Sequence, residues 1–129
     1  VLFRSGYYTP FVAPKGRDGG VDVIAYIDAL GAKTPRIKVQ VKHMPETSIP
    51  AKDIRSLLGI LRDGDIALFV TSGTYSPQAR TEALTSKTYI KLIDGEEFIE
   101  MWQEYYSKMN DEDKNMMPLK HIAFVGSNE

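Results

Sequence analysis

The stretches GVDVIAYI (residues 20–27) and RIKVQVK (residues 36–42) decide the fold, because both alternate apolar and polar residues with the period of a β-strand. The loop between them is centred near Gly31, so together they predict an antiparallel hairpin. Matching the apolar faces of the two strands sets Val23 opposite Val39. A slip of one residue would place charged side chains among the valines, so the pattern specifies a single register.

On the polar face, the same register places Asp22 opposite Gln40, with Lys42 one step further along the strand. Magnesium prefers hard oxygen ligands and keeps several waters, so Asp22, Gln40 and the backbone carbonyl of Val41 form a candidate metal site. Lys42 would hold the attacking water or offset negative charge on a phosphate. An ordinary solvated strand face with a cross-strand polar cluster is the alternative interpretation.

Composition and length are those of one soluble globular domain, with 129 residues, 43% hydrophobic and 26% charged. No apolar run is long enough to span a bilayer, and no secretory signal pattern is present. The absence of cysteine excludes disulfides and thiol nucleophiles, and it is compatible with a cytoplasmic location. Because His43 and His121 are the only histidines, a zinc site of imidazole and thiolate ligands is disfavoured.

The net charge of −1 conceals an asymmetry between the two halves of the chain. Residues 1–62 hold 10 Lys/Arg against 5 Asp/Glu, a net of +5, whereas residues 63–129 hold 6 against 12, a net of −6. A phosphate-binding surface is therefore expected on the N-terminal half, although scattered solubilising charges are the alternative. The candidate DNA-binding residues are Lys15, Arg17, Lys38, Lys52 and Arg55.

The remaining patterns predict an α/β fold of element order βββαβαβα, in which helices flank a central mixed sheet. Residues 110–115 are interpreted as a charged linker. The predicted elements outside the hairpin are an edge strand over 6–12, a helix from Pro50 to about Asp63, a strand over 66–70, a helix from Ser76 to about Ser86, a strand over 89–93, a helix from Asp94 to about Met109, and a last strand over 119–125.

The segments GRDGGVDVIA (residues 16–25) and VQVK (residues 39–42) resemble the Mrr-type catalytic domain of the PD-(D/E)xK restriction endonuclease superfamily. In that family an Asp ends a glycine-rich turn, and Glu-x-Lys or Gln-x-Lys follows on the next strand. The resemblance covers roughly residues 6–99. Four further segments follow in the family's order: SLLGIL (56–61), LFVTSG (68–73), SPQAR (76–80) and LIDGEEF (92–98).

The resemblance implies a restriction endonuclease-like fold and a metal-dependent endonuclease that hydrolyses DNA phosphodiesters, with modified DNA as a family-level guess at the substrate. It gives Asp22, Gln40 and Lys42 the catalytic roles, with Mg²⁺ as the metal and Mn²⁺ expected to substitute. DNA and a second copy of the chain are the expected partners, with no membrane and no organic cofactor. The alternatives are a non-catalytic DNA-binding or assembly module on the same fold, and a junction resolvase or repair nuclease.

The start of the chain departs from the family pattern. Members usually have a helix before the first strand, with an acidic residue that helps to hold the metal. This chain begins at Val1, and no acidic residue precedes Asp18. We therefore expect a fragment of a longer protein, with a catalytic core over residues 1–109 that lacks this helix and a C-terminal extension over 110–129. Catalysis is expected of the full-length protein, and an inactive fragment would not contradict that expectation.

Overall fold

A five-stranded mixed sheet forms the centre of the described part of the chain, which comprises the backbone of residues 8–12 and all of residues 23–119 in a computed structural model. The strand order is β1-β2-β3-β5-β7; the first three strands are antiparallel and the last three are parallel. A separate parallel pair, β4 and β6, packs beside it. The strands are β1 (Tyr8–Val12), β2 (Val23–Tyr26), β3 (Arg36–Lys42), β4 (Ser48–Ile49), β5 (Asp65–Thr71), β6 (Thr74–Tyr75) and β7 (Ile90–Ile93).

Four helices lie within the described residues, between and after the strands, so the predicted α/β architecture of a mixed sheet flanked by helices is confirmed. They are α1 (Ala51–Gly59), α2 (Pro77–Thr85), α3 (Gly95–Tyr105) and α4 (Asp111–Met116), with a 3-10 turn over Tyr106–Lys108. Among the helices of the described residues, none combines the length and apolarity needed to cross a bilayer.

The hairpin register is the one that the alternation predicts. Val23 pairs with Val39, and Ala25 pairs with Ile37. Ala25, Ile37 and Val39 are buried together on one face of the sheet. The strand β2 ends earlier than predicted because Asp28 starts the loop, where its carboxylate accepts hydrogen bonds from the backbone N–H groups that follow. The predicted pairing of Asp22 with Gln40 lies outside the described residues.

The opposite face of the sheet carries the main core. Helix α1 turns Ile54 and Leu57 inward, and α2 contributes Ala79. These residues pack on Phe69, which is fully buried in the middle of β5. Residues 66, 68 and 70 of β5 lie on the other face and are only partly buried.

The predicted start of α2 is also confirmed. The Ser76 side chain accepts a hydrogen bond from the backbone N–H of Ala79 at 3.0 Å, and Pro77 occupies the first turn. The short β4–β6 sheet was not predicted. Its residue Tyr75 lies within hydrogen-bonding distance of the carbonyls of Phe69 and Ile93, so it links the ends of β5 and β7.

The prediction of a charged linker over residues 110–115 is wrong, because α4 forms there. The side chain of Asn110 accepts from the backbone N–H of Asp113 at 2.8 Å and begins the helix. Three acidic residues in the first turn lie at the positive end of the helix dipole. The predicted last strand, 119–125, lies outside the described residues beyond Leu119.

Candidate active site

Gln40 and Lys42 lie on the same face of β3, at the carboxyl end of the strand. The central position of β3 in the sheet, with β5 as its parallel neighbour, buries Gln40 beside Phe69 of that strand and leaves it 6% exposed. Lys42 occupies the last position of the strand, where its backbone carbonyl accepts from the N–H of Ser72 at 3.2 Å. The strand alternation therefore brings these two predicted catalytic residues to one place, and the side chain of Val41 points to the other face, where it is half exposed.

Asp53 is a site residue that the sequence did not reveal. Its Oδ2 atom lies 2.9 Å from the Nζ atom of Lys42, and both side chains are partly buried. Asp53 belongs to the first turn of α1, the helix that follows β4 in the chain and contacts the polar face of β3 through Asp53. An acidic residue in a first helical turn was the one available signal, but it does not indicate which lysine the helix will meet.

The amino end of β3 presents two further cations on the same face as Gln40. The Nε atom of Arg36 lies 2.7 Å from Oδ1 of Asp65, and the Nζ atom of Lys38 lies 2.9 Å from Oδ2 of the same residue. Lys38 also donates to the carbonyl of Ile60 at 3.2 Å. The Asp65 side chain is completely buried at the start of β5. Lys38 is therefore engaged by neighbouring groups of the same chain.

Charge and hydrogen bonding decide the ionisation of Asp65. Burial by itself would raise the pKa of this carboxyl group. The backbone N–H of Arg62 donates to it at 2.9 Å, and the side chains of Lys38 and Arg36 add hydrogen bonds and positive charge. These donors outweigh the burial and hold the pKa of Asp65 below its usual range.

The other predicted DNA-binding residues divide into two groups. Lys52 and Arg55 are exposed on α1, and the guanidinium of Arg55 lies 2.6 Å from the carboxylate of Glu82. Lys15 and Arg17 lie outside the described residues, as does Asp22. Lys52 and Arg55 therefore form an exposed basic surface on α1, the helix that carries Asp53.

A cleft of about 550 Å³ opens next to Lys42, between the carboxyl ends of β3 and β5 and the start of α3. Gly73 and Gly95 line this cleft, and a side chain at either position would collide with neighbouring backbone atoms. His43 also lines the cleft. Residues that end parallel strands commonly form binding clefts at such an edge.

The oxygen atoms predicted to bind metal, those of the Gln40 amide and the Val41 carbonyl, suit a hard divalent cation. An amide oxygen and a backbone carbonyl are oxygen ligands of the kind that Mg²⁺ and Mn²⁺ accept. Within residues 8–12 and 23–119, no group of three or more His, Cys, Asp or Glu side chains is placed to hold a metal. Asp22, the anionic ligand predicted from the sequence, lies outside the described residues.

Comparison with known proteins identifies the family of this chain. A restriction endonuclease family, Mrr_cat, matches residues 1–102. The solved structure of the MspJI restriction endonuclease in complex with a 27-mer oligonucleotide is similar, with a TM-score of 0.64 and 28% identity over 84% of this chain. The DNA modification-dependent restriction endonuclease AspBHI has a similar fold, with a TM-score of 0.61 and 16% identity over 78% of this chain.

This chain spans about a quarter of the length of those two enzymes, since it covers 27% of each. No curated protein matches it. The family match extends over most of the sequence and includes the hairpin, the strand that carries Gln40 and Lys42, and helices α1 and α2. The chain therefore belongs to the Mrr-type restriction endonuclease catalytic domain family, as its sequence motifs indicate.

Proposed function

We propose that this domain is a metal-dependent endodeoxyribonuclease that hydrolyses DNA phosphodiester bonds. The observation that carries the proposal is the position of Lys42 beside the buried Gln40 at the carboxyl end of β3, in a chain of the restriction endonuclease family. Both side chains face the same way, which is what a shared role on one phosphate requires.

In this proposal, Asp22, Gln40 and the carbonyl of Val41 hold a magnesium ion, with manganese able to replace it. The ion would supply Lewis-acid polarisation of the scissile phosphate. Lys42 contributes what the chain itself provides, a fixed positive charge that orients the attacking water and stabilises the negative charge of the pentacovalent phosphate. Partial burial of this ammonium strengthens that interaction relative to bulk water.

DNA is the proposed substrate, and modified DNA is the proposed class. The support is the nature of the two structural neighbours, one of which is bound to an oligonucleotide and the other of which is modification-dependent. Lys52 and Arg55 on α1, together with Lys15 and Arg17, are the proposed phosphate contacts. A pair of domains is needed to cut both strands, so a homodimer is proposed as the active form.

A non-catalytic DNA-binding or assembly module on the same fold is the second candidate. The observation that favours it is Gln40 itself, because a neutral amide stands where many nucleases of this superfamily carry a second carboxylate. Such a module would bind DNA without cleaving it at any metal concentration.

Cleavage of supercoiled plasmid and of methylated, unmethylated and branched duplexes, with Mg²⁺ or Mn²⁺, tests the proposal. The full-length wild-type protein is expected to nick DNA, and Asp22→Asn is expected to abolish the nicking. Asp63→Asn, at an exposed carboxylate away from the cleft, is the matched control and should cleave like the wild type. Binding without cleavage by the wild type would favour the non-catalytic module instead.

A further inference from the structure

The ammonium of Lys42 is held in place by a carboxylate that belongs to a different element. Lys42 ends β3, and Asp53 approaches it from α1, with 2.9 Å between Nζ and Oδ2. The two side chains are 30% and 17% exposed, so water only partly screens the pair. A lysine side chain has four rotatable bonds, and ordering it costs conformational entropy that this contact offsets.

The position of Asp53 is fixed by packing rather than by a loop. Its backbone N–H bonds to the carbonyl of Pro50 at 3.1 Å, inside the first turn of the helix. The next residue, Ile54, is completely buried, and Leu57 anchors the following turn. Pro50 provides no side-chain cap for this helix, and the Asp53 carboxylate points towards Lys42. The helix therefore carries the carboxylate to a defined place beside the strand end.

A second ion pair also joins a lysine on a strand to an acid in the first turn of a helix, but it lies on a different strand. Lys91 on β7 and Glu97 in the first turn of α3 are 2.8 Å apart, and both side chains are more exposed than those of the first pair. The Glu97 carboxylate raises the pKa of Lys91 through this hydrogen bond. Because β5 separates β7 from β3, this pair lies away from the candidate site. Replacing Glu97 therefore controls for the loss of an acid in the first turn of a helix.

We infer that Asp53 is a positioning residue for catalysis, acting through Lys42; this inference rests on the proposed nuclease function. Asp53 fixes the ammonium of Lys42 where the phosphate reacts, and it contributes to the rate without touching DNA or metal. Its removal frees the lysine to sample other rotamers, which lowers the fraction of complexes in which the ammonium is correctly aligned. Binding of DNA does not need that alignment, so the effect falls on kcat.

The experiment compares kcat, KM for DNA and the Mg²⁺ dependence of wild type, Asp53→Asn, Glu97→Gln, Lys42→Ala and the Lys42→Ala/Asp53→Asn double variant, each made in the full-length protein. We expect Asp53→Asn to lower kcat by about 10- to 100-fold at saturating Mg²⁺. Its KM is expected to be unchanged or lower, because a negative charge has been removed near DNA. Glu97→Gln should cleave like the wild type. Asp53→Asn and Glu97→Gln should both keep the wild-type melting temperature to within a few degrees.

The double variant distinguishes action through Lys42 from independent action. With Lys42 already replaced, Asp53→Asn should cause no further loss, because the group that it positions is gone. An equal loss in both backgrounds would overturn the inference. A raised Mg²⁺ requirement in Asp53→Asn would also overturn it, since Asp53 would then be a metal ligand.

The remaining outcomes separate this inference from the proposed function. If the wild type cleaves DNA and Asp53→Asn cleaves at the same rate, the positioning role is refuted and the nuclease proposal stands. If neither the full-length wild type nor its Glu97→Gln variant cleaves any of the substrates with Mg²⁺ or Mn²⁺, the nuclease proposal fails, and the role of Asp53 fails with it.

Discussion

The two ends of β3 present cations on the same face of one strand, but they are paired in different ways. At the amino end, Arg36 and Lys38 share one completely buried carboxylate, Asp65. At the carboxyl end, Lys42 meets Asp53, both partners remain partly accessible, and Lys42 also lines an open cleft. We infer that the amino end joins β3 to β5, whereas Lys42 at the carboxyl end is the cation that serves the proposed chemistry.

Removing the cation at the carboxyl end should give the largest change in activity. We expect Lys42→Ala to lower the rate of DNA cleavage by about 100- to 1000-fold, which is typical for loss of one group that stabilises transition-state charge. Single-turnover cleavage at saturating Mg²⁺ measures this, and urea denaturation checks that folding is retained. Cleavage by this variant at the wild-type rate would show that the two ends of β3 do not differ in function.

Removing the carboxylate at the amino end should change stability instead. Asp65→Asn leaves two cations beside a neutral buried group, so we expect a loss of about 3 kcal/mol in the free energy of unfolding. Denaturant titration measures the loss, with Asp63→Asn as an exposed control. Cleavage below the melting temperature should stay near the wild-type rate, and a selective loss of cleavage without loss of stability would contradict the structural role.

The pH dependence of stability should report the same carboxylate. The pKa of Asp65 is held below its usual value of 3.8, so the folded state binds this proton less tightly than the unfolded state. Its contribution is complete above that value and is lost as the pH falls through the lower, folded pKa. The stability difference between wild type and Asp65→Asn should therefore shrink in that acidic range, and a constant difference would exclude the linkage.

The smallest expected effect concerns the exposed basic surface of α1, which borders the carboxyl end. Arg55→Gln should weaken DNA binding and reduce the slope of log affinity against log salt by about 1. Its exposed pair with Glu82 contributes little to stability, about 0–1 kcal/mol. Lys108→Gln, in the acidic C-terminal half, is the control for general loss of charge. Equal losses in the two variants would remove α1 from the proposed DNA interface.

Local periodicity predicted the parts of the fold that depend on local contacts. The alternation of residues 36–42 gave the strand bounds and the register between Val23 and Val39, and Ser76 gave the start of α2. The helix α4 was missed because its acidic residues were interpreted as a solvated linker, although Asn110 supplies a helix cap. The two-residue strands β4 and β6 are too short to produce a periodic signal.

Only the part of the candidate site that lies on the β2–β3 hairpin was predicted from the sequence. Alternation brought Gln40 and Lys42 to one face, but the partner of each cation depends on where a helix or a neighbouring strand is placed in space. Asp53 and Asp65 lie 11 and 27 residues from the lysines that they bind, and no sequence spacing predicts those contacts. Long-range ion pairs of this kind follow from the packing of α1 and β5 on β3.

A crystal structure of the protein soaked with Mn²⁺ tests whether Asp22 and Gln40 bind one metal ion, because the ion has an anomalous signal. We expect one ion at the carboxyl end of β3, with the carboxylate of Asp22 and the amide oxygen of Gln40 among its ligands and Lys42 close by. An ion bound elsewhere, or a carboxylate of Asp22 directed away from Gln40 and Lys42, would contradict this expectation.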